Sequence, residues 1–110
     1  MGTKIQEYLA SFDLSRAFRQ FHMANKAFNK DNIDSTAKHL ERGLHLVVKA
    51  LGHIEKAVDD QLAIAAGKFE KANEELQKSI DAFADGKDES AERHFDKAMD
   101  LYDEALDLVD

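Results

Sequence analysis

The residues of this chain best suited to chemistry are its histidines, because one of them recurs in a matching sequence context. His39 lies in AKHLERGLHL, and His94 lies half a chain length later in ERHFDKAMDL. Neutral imidazole is a ligand for zinc, copper, nickel and iron. The recurrence predicts a site for a divalent transition metal formed by His39 and His94, with His45 as a third ligand. The alternative is two partly buried histidines that donate hydrogen bonds near the ends of helices.

No other pattern in the sequence predicts a reaction. The chain has no Cys, which excludes thiolate ligands, thiol nucleophiles and disulfides. It also has no glycine-rich phosphate loop, no nucleophile elbow and no His-Glu-x-x-His zinc motif. Nearly every Asp and Glu falls on the polar face of a helix, so no acid–base pair stands out. We therefore predict that the protein is not an enzyme.

The composition favours helices as the elements that position the histidines. The 110 residues include no Pro and only five Gly, which leaves little of the turn chemistry that β-hairpins need. The apolar residues are mostly Ala and Leu, and Ala, Leu, Lys and Glu are all good helix formers. The chain is predicted to be a single all-α domain, residues 1–110.

The two halves of the chain align with each other without a gap. Residues 34–51 fall on residues 89–106, and five of these eighteen positions are identical, including Ser35 on Ser90 and His39 on His94. This alignment predicts an internal repeat, residues 1–55 and 56–110. The alternative explanation is the general likeness of amphipathic helices.

Apolar residues at three- and four-residue spacing predict two helices in each half. The predicted apolar faces comprise Leu14, Ala17, Phe18, Phe21, Ala24 and Phe28; then Leu40, Leu44, Val47, Leu51, Ile54 and Val58; then Leu62, Ala65, Phe69, Ala72, Leu76, Ile80 and Phe83; and finally Phe95, Ala98, Tyr102, Ala105 and Val109. Four such helices predict an up-down-up-down four-helix bundle made of two helical hairpins.

Polar residues mark the turn within each predicted hairpin. The first helix is expected to stop at residues 29–32, and Asp34 or Ser35 can cap the next helix. In the second half, Gly86 suits the left-handed position that ends a helix, and Asp88 can cap the last one.

The junction between the two halves lacks a turn signal. Near Asp59 and Asp60 there is no Gly or Pro, and the apolar face continues in phase across them. One helix over residues 34–84, ~75 Å long, is therefore the alternative to the compact bundle. Such a helix requires a swapped dimer to cover its apolar face.

The charges are divided unequally between the halves. Residues 1–55 carry eight Lys or Arg against six Asp or Glu, whereas residues 56–110 carry seven against sixteen. An acidic stripe runs along one face of the last predicted helix and consists of Glu89, Glu92, Asp96, Asp100, Asp103, Asp107 and Asp110. This balance disfavours nucleic acid and anionic lipid as partners.

Two further features bear on partners and localisation. No run of about 18 apolar residues exists, and the N-terminus does not read as a signal peptide, so we predict no membrane span and a cytoplasmic protein, with export after removal of a signal as the alternative. An apolar stripe of Ile5, Tyr8, Leu9 and Phe12 lies on a different helical face from Leu14–Phe28. It either caps the bundle or joins a second copy. The leading functional prediction is an interaction or scaffold module that binds a protein partner or forms a homodimer.

Three resemblances add alternatives to that prediction. AKHLERGLHL and ERHFDKAMDL resemble the repeat of small His-rich metal-binding proteins, which implies divalent metal on His39 and His94 and, as a looser match, His45. ESAERHFDKAMDL is similar to the second helix of a tetratricopeptide repeat. The segment 39–43, HLERG, resembles the site of histidine phosphotransfer domains, which implies phosphorylation of His39.

Overall fold

Four α-helices account for nearly all of the chain in the computed structural model. They are α1 (Gly2–Asn29), α2 (Ile33–Lys56), α3 (Asp60–Ala84) and α4 (Asp88–Val109). The structure describes the backbone of residues 2–56 and 60–109 and the side chains of residues 11–55 and 63–108. No strand occurs in these ranges, so the all-α prediction is confirmed.

The helices form a compact four-helix bundle. Helix α2 packs against α1 and α3, and α3 packs against α4. The longest dimension is 45 Å, whereas a continuous helix over residues 34–84 would measure ~75 Å. The compact arrangement is therefore the correct alternative, and the junction itself, residues 57–59, lies outside the described residues. No helix in the described ranges is long and apolar enough to cross a membrane.

The core consists of the apolar faces that the spacing predicts. Most of those side chains are buried, and Phe18, Phe28, Leu44 and Phe95 are partly buried against them. The side chains of Val58, Leu62 and Val109 lie outside the described residues. Helical periodicity alone locates this core, because apolar residues that recur every three or four positions lie on one face of a helix, and that face is the one that becomes buried.

Aromatic rings fill the seam between α1 and α4. No Cα atom in the described part of α1 comes within 8 Å of one in α4. The gap is bridged by Tyr102, whose ring stacks on Phe21 with centroids 5.3 Å apart and meets Phe18 edge-on at 5.7 Å. The Tyr102 hydroxyl donates a hydrogen bond of 2.6 Å to Asn73 Oδ1. Because the hydroxyl is buried, the pKa of Tyr102 is raised above its usual value of 10.0.

The turn between α1 and α2 follows a Schellman arrangement. Asp31 takes the left-handed conformation at φ 59°, and the amide of Asn32 donates to the carbonyl of Ala27 at 2.9 Å. Asn32 then caps α2, since its Oδ1 accepts a hydrogen bond from the amide of Ser35. The expectation that Asp34 or Ser35 caps α2 is therefore wrong, because the helix already begins at Ile33.

The turn between α3 and α4 repeats this arrangement at the equivalent position of the second half. Gly86 has φ 75°, as predicted, and the amide of Lys87 donates to the carbonyl of Ala82 at 2.8 Å. Lys87 occupies the capping position, with its carbonyl accepting from the amide of Ala91, so Asp88 is the first helical residue rather than the cap. The acidic side chain of Asp88 still favours the helix start through the helix dipole.

Equivalent residues of the two hairpins also meet each other. Phe28 and Phe83 are matched in the alignment of the two halves, and their rings contact edge-on with centroids 5.8 Å apart. The interpretation of the sequence as a duplicated hairpin stays a prediction.

Candidate functional site: two histidine pairs and a basic groove

Each of the recurring histidines pairs within its own hairpin. His39 Nδ1 lies 2.8 Å from Gln20 Oε1 on α1, and His94 Nδ1 lies 2.7 Å from Glu75 Oε2 on α3. Gln20 and Glu75 are also matched in the alignment of the two halves, so both partners recur at the repeat offset. In both pairs the acceptor is an oxygen, so the ring Nδ1–H is the donor. Each pair fastens the two helices of its hairpin together.

The second pair contains a carboxylate, which belongs to a small network with two lysines. Glu75 is nearly buried, and its carboxylate also lies 3.4 Å from Lys78 Nζ and 3.8 Å from Lys97 Nζ. The hydrogen bond from His94 lowers the pKa of Glu75 below its usual value of 4.5, with help from the two lysines and against the effect of burial. The first hairpin has the neutral Gln20 at this position, so only the second pair contains a carboxylate.

Protonation of the Glu75 carboxylate at low pH gives a first testable prediction. Because the folded pKa of Glu75 is lowered, its stabilisation is fully present above about pH 4.5 and is lost as the pH falls through the folded value. We expect Glu75→Gln to lower the free energy of unfolding by about 1–2 kcal/mol at pH 7, since a charged hydrogen bond becomes neutral. Denaturant titrations between pH 3 and 7 would measure the difference, which should shrink towards zero at the acid end.

The neighbouring exposed Glu74 supplies the control for this prediction. Glu74→Gln removes the same charge one residue away and should change the stability little at any pH. If Glu75→Gln changes the free energy of unfolding by the same amount at every pH, the charge of the Glu75 carboxylate is not the cause.

The described side chains do not form a cluster of the predicted metal ligands. Those side chains contain no group of three or more His, Asp or Glu that could hold a metal ion. His39 and His94 each use Nδ1 within their own hairpin. His45 is exposed and shares a surface groove with Arg16 and Arg42, whose positive charges repel a metal cation. Metal binding by His39, His94 and His45 stays a prediction.

That groove lies on the surface formed by α1 and α2, and we call it the basic groove. It is open, measures about 480 Å³, and is lined by Arg16, Gln20, Lys38, Glu41, Arg42, His45 and Leu46. Three permanent cations and one imidazole thus face one carboxylate over a floor that includes the largely buried Leu46. A concave surface of this charge attracts anions.

An exposed aromatic residue lies at the edge of the basic groove. Phe12 is 53% exposed, and the guanidinium of Arg16 lies over its ring at 5.6 Å. Exposed aromatic rings beside arginine are common among the residues that dominate binding at protein interfaces. Phe12 also belongs to the predicted N-terminal stripe, whose other members, Ile5, Tyr8 and Leu9, have side chains outside the described residues.

The equivalent surface of the second hairpin is electrically balanced. At the repeat offset, His45 is replaced by Asp100 and Gln20 by Glu75. The equivalent charged residues are three cations, Lys71, Arg93 and Lys97, and three carboxylates, Glu75, Asp96 and Asp100. The positive groove is therefore a property of the first hairpin alone. It was not predicted from the sequence, although the four-residue spacing of Lys38 and Arg42 was visible there.

His53 aside, no ion pair between described side chains joins the two hairpins. Each lies inside one hairpin, as does the pair of Lys68 Nζ with Glu104 Oε2 at 3.2 Å. The six described carboxylates of the acidic stripe, residues 89 to 107, are all exposed, and none is in an ion pair with another described side chain. The positive and negative surfaces are both open to other molecules.

A second cavity, near the turns, is too small to hold a ligand. It has a volume of about 30 Å³ and lies among Phe28, Leu40, Phe83 and Phe95, with Glu92 and Asp96 beside them. A volume of this size accommodates a water molecule or two. The basic groove is therefore the stronger candidate for a binding surface.

The comparisons with known proteins give no information about the function. No protein-family model matches the chain, and neither a curated protein nor a solved structure matches it. The resemblances to His-rich, tetratricopeptide and phosphotransfer proteins stay predictions. One contact concerns the resemblance to phosphotransfer domains. Gly43 lies against the ring of Phe21, so the absence of a side chain at Gly43 lets the ring pack there.

Proposed function

We propose that this protein is a non-enzymatic interaction module whose basic groove binds an acidic helical segment of a protein partner. The observation that supports this proposal is the groove itself, with Arg16, Lys38 and Arg42 around a depression floored by Leu46 and the exposed ring of Phe12 at its edge. A helix that carries carboxylates on one side and an apolar residue beside them complements both parts of this surface.

A protein partner fits this surface better than a nucleic acid does. The net charge of the chain is −7, and the acidic stripe of α4 repels an extended polyanion. The groove is also short, because Lys38 and His45 are separated by only two turns of α2. Two turns match the carboxylates on one face of a single helix, which recur every three or four residues.

The interaction can be tested with a labelled acidic helical peptide. We expect Lys38→Gln with Arg42→Gln to weaken its binding about tenfold at low salt, because two exposed ion pairs contribute roughly 0.2–1 kcal/mol each. Fluorescence anisotropy at ~20 mM and ~300 mM salt would measure both the affinity and its screening. All of the replaced side chains are exposed, so the fold should be unaffected.

The repeat provides a matched control for this experiment. Arg93 and Lys97 occupy the positions equivalent to Lys38 and Arg42 in the second hairpin, so Arg93→Gln with Lys97→Gln changes the net charge equally. This control should retain binding. Equal losses in both double variants would show a general charge effect and overturn the proposed role of the groove.

Self-association through the N-terminal stripe remains part of this proposal. Exposed ion pairs alone bury little apolar surface, and Phe12 with the rest of the stripe would supply more. Removing residues 1–12 should then weaken any association that persists at high salt.

A further inference from the structure

We infer that the helix received by the basic groove is α4 of a second copy of this chain. This inference rests on the proposed function of the groove and names its partner. It follows from the spacing of charges on α2 and α4, from the exposure of both sets, and from the absence of ion pairs between either set and another described side chain.

The charged rows on the two helices have the same spacing. On α2, a basic row consists of Lys38, Arg42, His45 and Lys49, with intervals of four, three and four residues. On α4, the acidic stripe contains Asp96, Asp100, Asp103 and Asp107, with the same intervals. Each row extends over about 16 Å at 1.5 Å per residue.

This spacing lets the two rows match along their whole length. The sequence of intervals is the same read in either direction, so the rows are in register whether the two helices run parallel or antiparallel. Intervals of three and four keep each row on one side of its helix. Every cation or imidazole of one row can therefore face a carboxylate of the other.

The exposure of both rows leaves them available for contact. All eight side chains are exposed, and none of them is in an ion pair with another described side chain. The six described carboxylates of the acidic stripe follow one face of α4 and repel one another, so a surface of opposite charge relieves that repulsion. A second copy supplies such a surface with the correct length and spacing.

Charge reversal and mixing would test this contact directly. One variant carries Lys38→Glu and Arg42→Glu in the basic row, and the other carries Asp100→Lys and Asp103→Lys in the acidic row. Sedimentation velocity at concentrations up to ~1 mM would follow association of the wild-type chain, whose monomer mass is 12.4 kDa. We expect wild type to associate at ~10 mM salt and to be monomeric at ~500 mM, because screening removes the attraction.

Each variant alone should be monomeric at low salt, because the two reversed charges lose their ion pairs and meet side chains that no longer attract them in the other row. An equimolar mixture of the two should associate, because the intact basic row of the second variant can then bind the intact acidic row of the first. A variant with Lys71→Glu and Arg93→Glu has the net charge of the first variant but changes only the second hairpin, and it should behave as wild type does. Circular dichroism would verify that all variants retain their helices.

Several results would overturn the inference. A wild-type chain that is monomeric at low salt, or whose association does not respond to salt, would do so. So would a mixture that stays monomeric, or a variant with Lys71→Glu and Arg93→Glu that loses association as fully as the first variant does. The Asp100→Lys and Asp103→Lys variant separates this failure from that of the proposed function, because its groove is intact. If wild type is monomeric and this variant still binds the acidic peptide, the groove has a different protein as its partner.

Discussion

Replacement of Tyr102 by Ala is expected to lower the free energy of unfolding by about 3–5 kcal/mol, a large part of the 5–15 kcal/mol typical of a domain. Tyr102 is fully buried and its ring contacts Phe18, Phe21 and Phe69. Its loss leaves a cavity in the seam between α1 and α4, where the backbones are too far apart to close it. Urea denaturation followed by circular dichroism would measure the change.

A second substitution separates the ring of Tyr102 from its hydroxyl. Tyr102→Phe keeps the ring contacts and removes only the hydrogen bond to Asn73, which is partly exposed and can bind water instead. We expect a loss of about 1 kcal/mol. A Tyr102→Phe variant as unstable as Tyr102→Ala would contradict the assignment of most of the stability to the ring.

The raised pKa of Tyr102 also fixes the direction of its alkaline response. The folded state favours the neutral phenol, so this contribution is fully present below about pH 10 and is lost as the pH rises above that value. Ionisation of Tyr102, followed by absorbance, should therefore accompany unfolding instead of preceding it.

Gly43→Ala is expected to destabilise the protein by about 1–2 kcal/mol, although alanine is the better helix former. A Cβ atom at Gly43 would overlap Cε1 of Phe21 and lie 2.7 Å from its Cδ1. Phe21 is buried among other rings and has little room to move. Thermal and urea denaturation would measure the loss.

Two other glycines provide controls of the opposite sign. Gly52 and Gly67 are exposed on helices, and a Cβ atom at either would meet nothing within 4 Å. Gly52→Ala and Gly67→Ala should each stabilise the protein by about 0.5–1 kcal/mol. The same sign for all three substitutions would contradict the steric explanation at Gly43.

The repeat indicates how the loss at Gly43 can be relieved. In the second hairpin the positions equivalent to Phe21 and Gly43 hold Leu76 and Ala98, a smaller residue with a larger one. Phe21→Leu should therefore be less harmful in the Gly43→Ala background than in wild type. A double-mutant cycle would measure this coupling.

Much of the fold could be predicted from the sequence because it depends on local patterns. The apolar period locates the four helices and most of the core, and Gly86 marks a left-handed turn because it lacks a Cβ atom. The matching turn residue of the first hairpin is Asp31, whose type does not require that conformation. The start of α2 was consequently placed too late, at Asp34 or Ser35 instead of after Asn32.

The candidate site was less predictable because it depends on contacts between helices. The recurrence of His39 and His94 was visible, but their partners lie 19 residues earlier on another helix, and Gln20 and Glu75 differ in type. The basic groove likewise needs Arg16 on α1 beside Arg42 on α2. Only the packing of the two helices determines which of many exposed cations become neighbours.

The wide seam between α1 and α4 has a consequence for how the molecule opens. Within each hairpin the two helices approach closely and are joined by a histidine pair, whereas the described parts of α1 and α4 have no Cα atoms within 8 Å of each other and are bridged by ring side chains. Separation along that seam exposes aromatic surface but breaks no backbone hydrogen bond. The partly open species in native-state hydrogen exchange is then a molecule opened along this seam while α2 still packs against α3, so amides of α1 and α4 at the seam exchange only through unfolding of their own hairpin.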